Sequence, residues 1–226
     1  MMNIILKGRD KMETLINNNY QKRIDNYKKV NTPEELLSFM DNNISYGIYG
    51  IDGKVYNDWE NNIESDFRKA CQTKYALCDK ERILKYGLGT CWDQVELERF
   101  WFSEHNYNFK TFFIWFNFQE KNNYITHTYL VYEKNNKYYY FEHADMSNKG
   151  IKEFDSYEDA INYQMNNHIK FNKECGLTIN DDTIKHIQVM EFNNPKYGCD
   201  MNEYLNNIIF NSKIIYQNNS FVNNYK

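Results

Sequence analysis

At 226 residues, with 42% hydrophobic and 17% aromatic side chains, the chain can bury one sizeable core, and a single domain is expected. Its 27 basic and 31 acidic residues give a net charge of -4 with the signs interspersed, which argues against a nucleic-acid footprint. No window approaches the roughly 18 uninterrupted apolar residues of a membrane span. The opening "MMNIILKGRDKMETL" holds only a short apolar run before charges resume, so neither a secretory signal nor a membrane anchor is read there and a cytoplasmic location is expected.

Residues 1–30 read as a polar segment with a weak helical pattern through "METLINNNYQKRIDNYKK", ahead of one domain over 31–216 and an Asn-rich tail over 217–226 that is expected to fray. Thr32 as N-cap, Pro33 at the first helical position and Glu35 closing a capping box start a helix that carries Leu36, Leu37, Phe39 and Met40. Gly47, Gly50 and Gly53 punctuate "SYGIYGIDGKVY" as a turn-rich connection. Residues 58–85 read as helix in pieces, with Phe67, Ala70, Cys71, Ile83 and Leu84 inward.

Gly87 and Gly89 then break the chain before "TCWDQVELERFW", where Thr90 is the N-cap and Asp93 returns a bond to the cap backbone, so Cys91 becomes the first residue of a helix. That helix is apolar over a wide arc and expected to be central to the fold. "NFKTFFIWFNF" reads as a strand buried on both faces. "YITHTYLVYEKNNKYYYFEH" is a hairpin turning at Asn135 and Asn136, residues that tolerate positive φ. "SYEDAINYQMNNHIKFNKECG" is a helix capped by Ser156, with Ile161, Met165 and Ile169 inward; "TIKHIQVMEF" over 183–192 reads as a strand, and Asp200 with Glu203 opens a short helix.

The cysteines fall at 71, 78, 91, 175 and 199, an odd set that argues against a disulfide framework, and their spacing does not suit zinc. A thiol at a helix start meets unsatisfied backbone N–H groups and the positive dipole end, both of which favour the thiolate, so Cys91 sits where a nucleophile belongs. A base is then required. His105 reads as a loop residue, His168 as the polar side of a surface helix, and His186 as core or surface on a late strand; these three are set aside. His127 lies instead on a strand face shared with Ile125, Tyr129 and Val131, where an imidazole is costly unless partnered.

The hairpin register names the partner. With a loop of two residues, Lys134 opposes Lys137 and Tyr129 opposes Glu142, so Glu142 shares the face of His127 as its diagonal neighbour. A loop of three would bring His143 or Asp145 opposite instead, and Asp145 is the reserve. A carboxylate on one ring nitrogen leaves the other to take the Cys91 proton, the arrangement of a nucleophilic triad.

"GTCWDQ" at a helix start, a strand bearing "HTYLVY" and a following strand that ends in an acid together resemble the transglutaminase-like group of the papain-like cysteine enzymes. The resemblance covers about residues 80–145 and implies an α+β fold in which the cysteine opens a central helix packed on an antiparallel sheet. It further implies Cys91 as nucleophile, His127 as base and Glu142 as orienting acid. Two departures stand out: Glu142 occupies a place usually held by aspartate, and Lys85 stands where papain-like proteases commonly carry an oxyanion-hole glutamine. The second oxyanion donor is left open among Tyr86, Trp92 and a tyrosine of "SYGIYG".

The function expected is thiol-dependent cleavage or transfer at an amide or ester carbonyl of a protein or peptide substrate. It needs no cofactor or metal, and neither nucleic acid nor membrane is expected as a partner. One rival is a non-catalytic module of the same fold that binds a peptide or protein in an aromatic groove. Another is coenzyme-A-dependent arylamine acyltransferase chemistry, which lacks a basic phosphate-binding stretch near the motif.

Overall fold

The computed structural model describes residues 19–57, 66–118, 123–193 and 195–222. The expectations placed on residues 1–18, 58–65 and 223–226 lie outside them. Helix α1 (19–27) leads into α2 (Pro33–Asn43), and the short strands β1 (Ser45–Tyr46), β2 (Ile48–Tyr49) and β3 (Val55–Tyr56) follow. Then come α3 (Asp66–Thr73), α4 (Lys80–Tyr86), β4 (Leu88–Gly89) and α5 (Cys91–Glu104). Strands β5 (Asn108–Phe118), β6 (Asn123–Lys134), β7 (Lys137–Glu142) and β8 (Gly150–Phe154) lead to α6 (Tyr157–Glu174) and α7 (Asp181–Lys185). The chain closes with β9 (Ile187–Phe192), α8 (Met201–Asn211), β10 (Lys213–Gln217) and β11 (Ser220–Phe221).

The architecture is mixed α+β, built on a seven-stranded antiparallel sheet in the order β11-β10-β9-β5-β6-β7-β8. Central strand β5 alternates between two cores. Phe113 faces the side covered by α5, with Leu130, Phe141, Trp92 and Trp101, whereas Phe112, Ile114 and Phe116 face the α6 side with Tyr129, Val131, Tyr140, Ile161 and Met165. A strand covered on both faces has no solvent side to leave polar, which accounts for its unbroken apolar run.

Helix α5 is buried along nearly its whole length, charged residues included. Its start is anchored by the Asp93 carboxylate, which accepts from the Tyr75 hydroxyl at 2.9 Å and the Cys78 N–H at 2.8 Å on one oxygen. The other oxygen accepts from the Thr90 N–H and hydroxyl, each at 2.8 Å. Burial pushes the Asp93 carboxyl up, and these four bonds oppose it. Farther along, Arg99 pairs with Glu96 at 3.1 Å and Tyr197 donates to the same carboxylate at 3.2 Å.

The N-terminal segment, where described, is part of the body of the domain. Tyr27 and Val30 are buried, Arg23 donates to the carbonyls of Leu84 and Lys85, and the Trp101 indole donates to the Val30 carbonyl at 3.3 Å. At α2 the Thr32 hydroxyl accepts from the Glu35 N–H, but the Glu35 carboxylate reaches Asn31 N–H, one residue beyond the cap.

Two expectations are corrected. Residues 183–192 are not one strand: Asn180 accepts from the Thr183 N–H and caps α7, so the strand begins only at Ile187. The tail does not fray at 217, because Asn218 and Asn219 adopt φ of 52° and 62° and turn the chain into a second hairpin, β10–β11. No described helix is long and apolar enough to cross a membrane.

Candidate functional site

The hairpin register places the site. Asn135 and Asn136 take φ of 54° and 59°, the left-handed pair that a two-residue turn requires, and Lys134 opposes Lys137. Pairing runs on to Leu130 opposite Phe141 and stops there, so the His127 segment of β6 keeps β5 as its neighbour and is open toward β7. Across that opening Glu142 Oε2 accepts from His127 Nε2 at 2.7 Å, the diagonal contact expected from a loop of two. Nδ1 is thereby left as the ring nitrogen for a further partner.

That partner arrives from the other face of the sheet. Thr90 caps α5 and Cys91 is its first residue, while the Thr128 hydroxyl donates to the Cys91 carbonyl at 2.7 Å and ties the helix start to the strand bearing His127. The Cys91 thiol acts on the His127 ring. Burial alone would deprotonate the imidazole, but the Glu142 charge, the Cys91 thiol and the bond to Glu142 together hold its pKa well above the usual range. All three side chains are enclosed: Cys91 is 7% exposed, His127 5% and Glu142 2%.

Glu142 is itself held in place. Its Oε1 accepts from the Asp145 N–H at 2.8 Å, and the Tyr140 hydroxyl lies 3.2 Å from Oε2 and 2.7 Å from Gln164 Oε1. Asn148 donates to both Tyr140 and Gln164. Asp145, the reserve acid, uses its carboxylate on the N–H and hydroxyl of Ser147, so it supports Glu142 through its backbone while Glu142 faces the imidazole. Burial of Glu98 on α5, reinforced by the charge of Glu142, raises its carboxyl well above the usual range.

His168 corrects the sequence reading. It is 6% exposed and stacks on His127, with ring centroids 5.4 Å apart and 28° between planes, and Phe116 meets its edge. The inward stripe of α6 runs through Ile161, Gln164, Met165, His168 and Asn172, at helical spacing. That period was the available signal, and the polar character of residues 164, 168 and 172 concealed it. His105 stacks on Trp101, and His186 caps α7 with Asp182 3.8 Å away; neither approaches the site. His143, next to Glu142 in sequence, turns instead to Gln94 and Asp41.

The residues left open as a second donor separate cleanly. Tyr86 stacks on Tyr49 with centroids 3.6 Å apart, and Trp92 stacks on Tyr204 within the core. Tyr46 points its hydroxyl at Cys91 Sγ, 3.9 Å away. No protein-family model, curated protein or solved structure matches the chain.

Proposed function

We propose that the chain is a transglutaminase-like cysteine enzyme of papain-like architecture, acting on an amide or ester carbonyl of a protein or peptide through an acyl-enzyme on Cys91. The observation that carries this reading is the 2.7 Å bond from His127 to Glu142 on an imidazole that also contacts a thiol at the first residue of a helix. His127 takes the thiol proton, the sulfur attacks the carbonyl carbon, and the imidazolium returns the proton to the leaving amine or alcohol. Glu142 fixes the ring and stabilises its charge. Water as the acceptor makes a peptidase or deamidase; an amine makes a transferase. The chain order of helix, histidine strand and acid strand on an antiparallel sheet supports the fold assignment.

The test is alkylation by iodoacetamide across pH, with the labelled residue identified by mass spectrometry and His127→Ala beside the parent. Cys91 is expected to label at least about tenfold faster than the other cysteines at neutral pH, and to lose that advantage in the variant. Uniformly slow labelling, indifferent to His127, sinks the reading.

The enclosure of Cys91 favours a second reading, a binding module in which cysteine and histidine serve packing. In that case Cys91→Ala leaves the biological effect intact.

A further inference from the structure

We propose that Tyr46 supplies the second oxyanion donor, completing with the Cys91 N–H a hole for the carbonyl oxygen of the substrate. The inference rests on Cys91 as the nucleophile and adds a residue that touches the reacting atoms. Strand β1 pairs parallel with β4, Ser45 opposite Leu88 and Tyr46 opposite Gly89, so Tyr46 is fixed beside the two residues that lead into α5. Ser45 N–H donates to the Gly87 carbonyl at 2.9 Å, which locks that register.

From there the phenol reaches over the helix start. Its hydroxyl lies 3.9 Å from Sγ, and the Cys91 N–H faces the same oxygen. The first residue of a helix has no intrahelical partner for its N–H, so this donor is directed out of the helix, here toward the Tyr46 oxygen. Two groups that carry donor hydrogens therefore lie side by side next to the sulfur, where a carbonyl oxygen that enters between them accepts from both. The ring packs on Phe67, with centroids 5.9 Å apart, which restrains the phenol without sealing it, since Tyr46 is only half-buried. Burial, then the neighbouring thiols, raises the pKa of the phenol well above its usual value, so it carries its proton at neutral pH and can donate it in a hydrogen bond.

The step balances without a co-reactant. The Cys91 sulfur forms a bond to the carbonyl carbon while the C=O π pair moves to oxygen, which accepts from Tyr46 O–H and Cys91 N–H. The pair then returns, the bond to the leaving group breaks, and the leaving group takes the proton held by His127.

The experiment compares parent and Tyr46→Phe, full chain, in two reactions of the same thiol. Acylation by p-nitrophenyl acetate passes through an oxyanion; alkylation by iodoacetamide, a displacement at saturated carbon, does not. Acylation of Cys91 is expected to fall about 100-fold in the variant, with alkylation within about threefold of the parent. The unchanged alkylation shows that the variant is folded with its thiol intact. Acylation within about threefold of the parent, or faster because the hydroxyl was obstructing the site, overturns the assignment. A parent protein that fails to acylate at Cys91 removes the nucleophile reading and Tyr46 with it, an outcome distinct from loss in the variant alone.

Discussion

The two faces of the sheet deliver different halves of the site and hold them differently. On the α5 side the thiol sits on a helix start bolted down by Asp93, whose four donors come from Tyr75, Cys78 and Thr90. On the α6 side His127 is held by Glu142 and by a stacked ring, His168, whose Nε2 has no partner among the described residues. A carboxylate with every donor in place fixes position. A ring stacked on His127 bears on its protonation as well as its position, so damage to the first mount should appear as lost stability and damage to the second as altered pH behaviour.

The largest effect is expected at Asp93. Asp93→Ala strips a partner from the Tyr75 hydroxyl, two backbone N–H groups and the Thr90 hydroxyl, all buried, and should cost about 3–5 kcal/mol of unfolding free energy. Urea denaturation measures it, and a loss below about 1 kcal/mol would show that the helix start is held by packing alone. On the other face, Glu142→Gln keeps the size of the side chain but removes the charge that raises the His127 pKa. Acylation of Cys91 should fall about 100-fold, equivalent to about 2.7 kcal/mol, because the imidazolium formed on proton transfer loses its stabilising partner. The basic limb of the pH profile should also move to lower pH; a profile that keeps its position would transfer the orienting role away from Glu142.

The contrast also marks what could be read from residue order. The Cys91 helix start and the Glu142 partnership were legible because both follow from local rules: a Thr90–Asp93 cap, and a ladder whose opposed numbers keep a constant sum once Asn135 and Asn136 form the loop. The same Asn-Asn chemistry at 218 and 219 went unread, since the strand after it is only two residues long. His168, Gln164 and Asn148 were hidden for a different reason. Gln164 and Asn148 are hydrogen-bonded to each other and His168 is buried on the same helix face as Gln164, and polar residues on a helix are read as solvent-facing until the tertiary partner is known. Tyr46 was one of several candidates, and only the parallel pairing of β1 with β4 separates it from Tyr49, three residues on.

The smallest effect expected is also the one that separates the mounts most clearly. Burial and the nearby charge of His127 lower the His168 pKa to about 3. The folded chain therefore keeps this ring neutral while the unfolded chain protonates it near the ordinary histidine value of about 6.5. Between those limits the unfolded state binds more protons, so stability falls as pH drops through 6.5 and goes on falling toward 3. His127 has the opposite sign: its raised pKa gives stability that is present below 6.5 and is lost as pH rises through the folded value. His143, lowered to about 4, acts in the same direction as His168 but is unchanged by a substitution there. His168→Phe keeps an aromatic ring against Phe116 and His127 and removes only the titration. Between pH 7 and pH 5 the parent should therefore lose about 2 kcal/mol more stability than the variant, as measured by urea midpoints at the two pH values. Equal losses would mean that His168 is protonated or solvated in the folded chain, and the stack on His127 would then have no part in setting the charge of that imidazole.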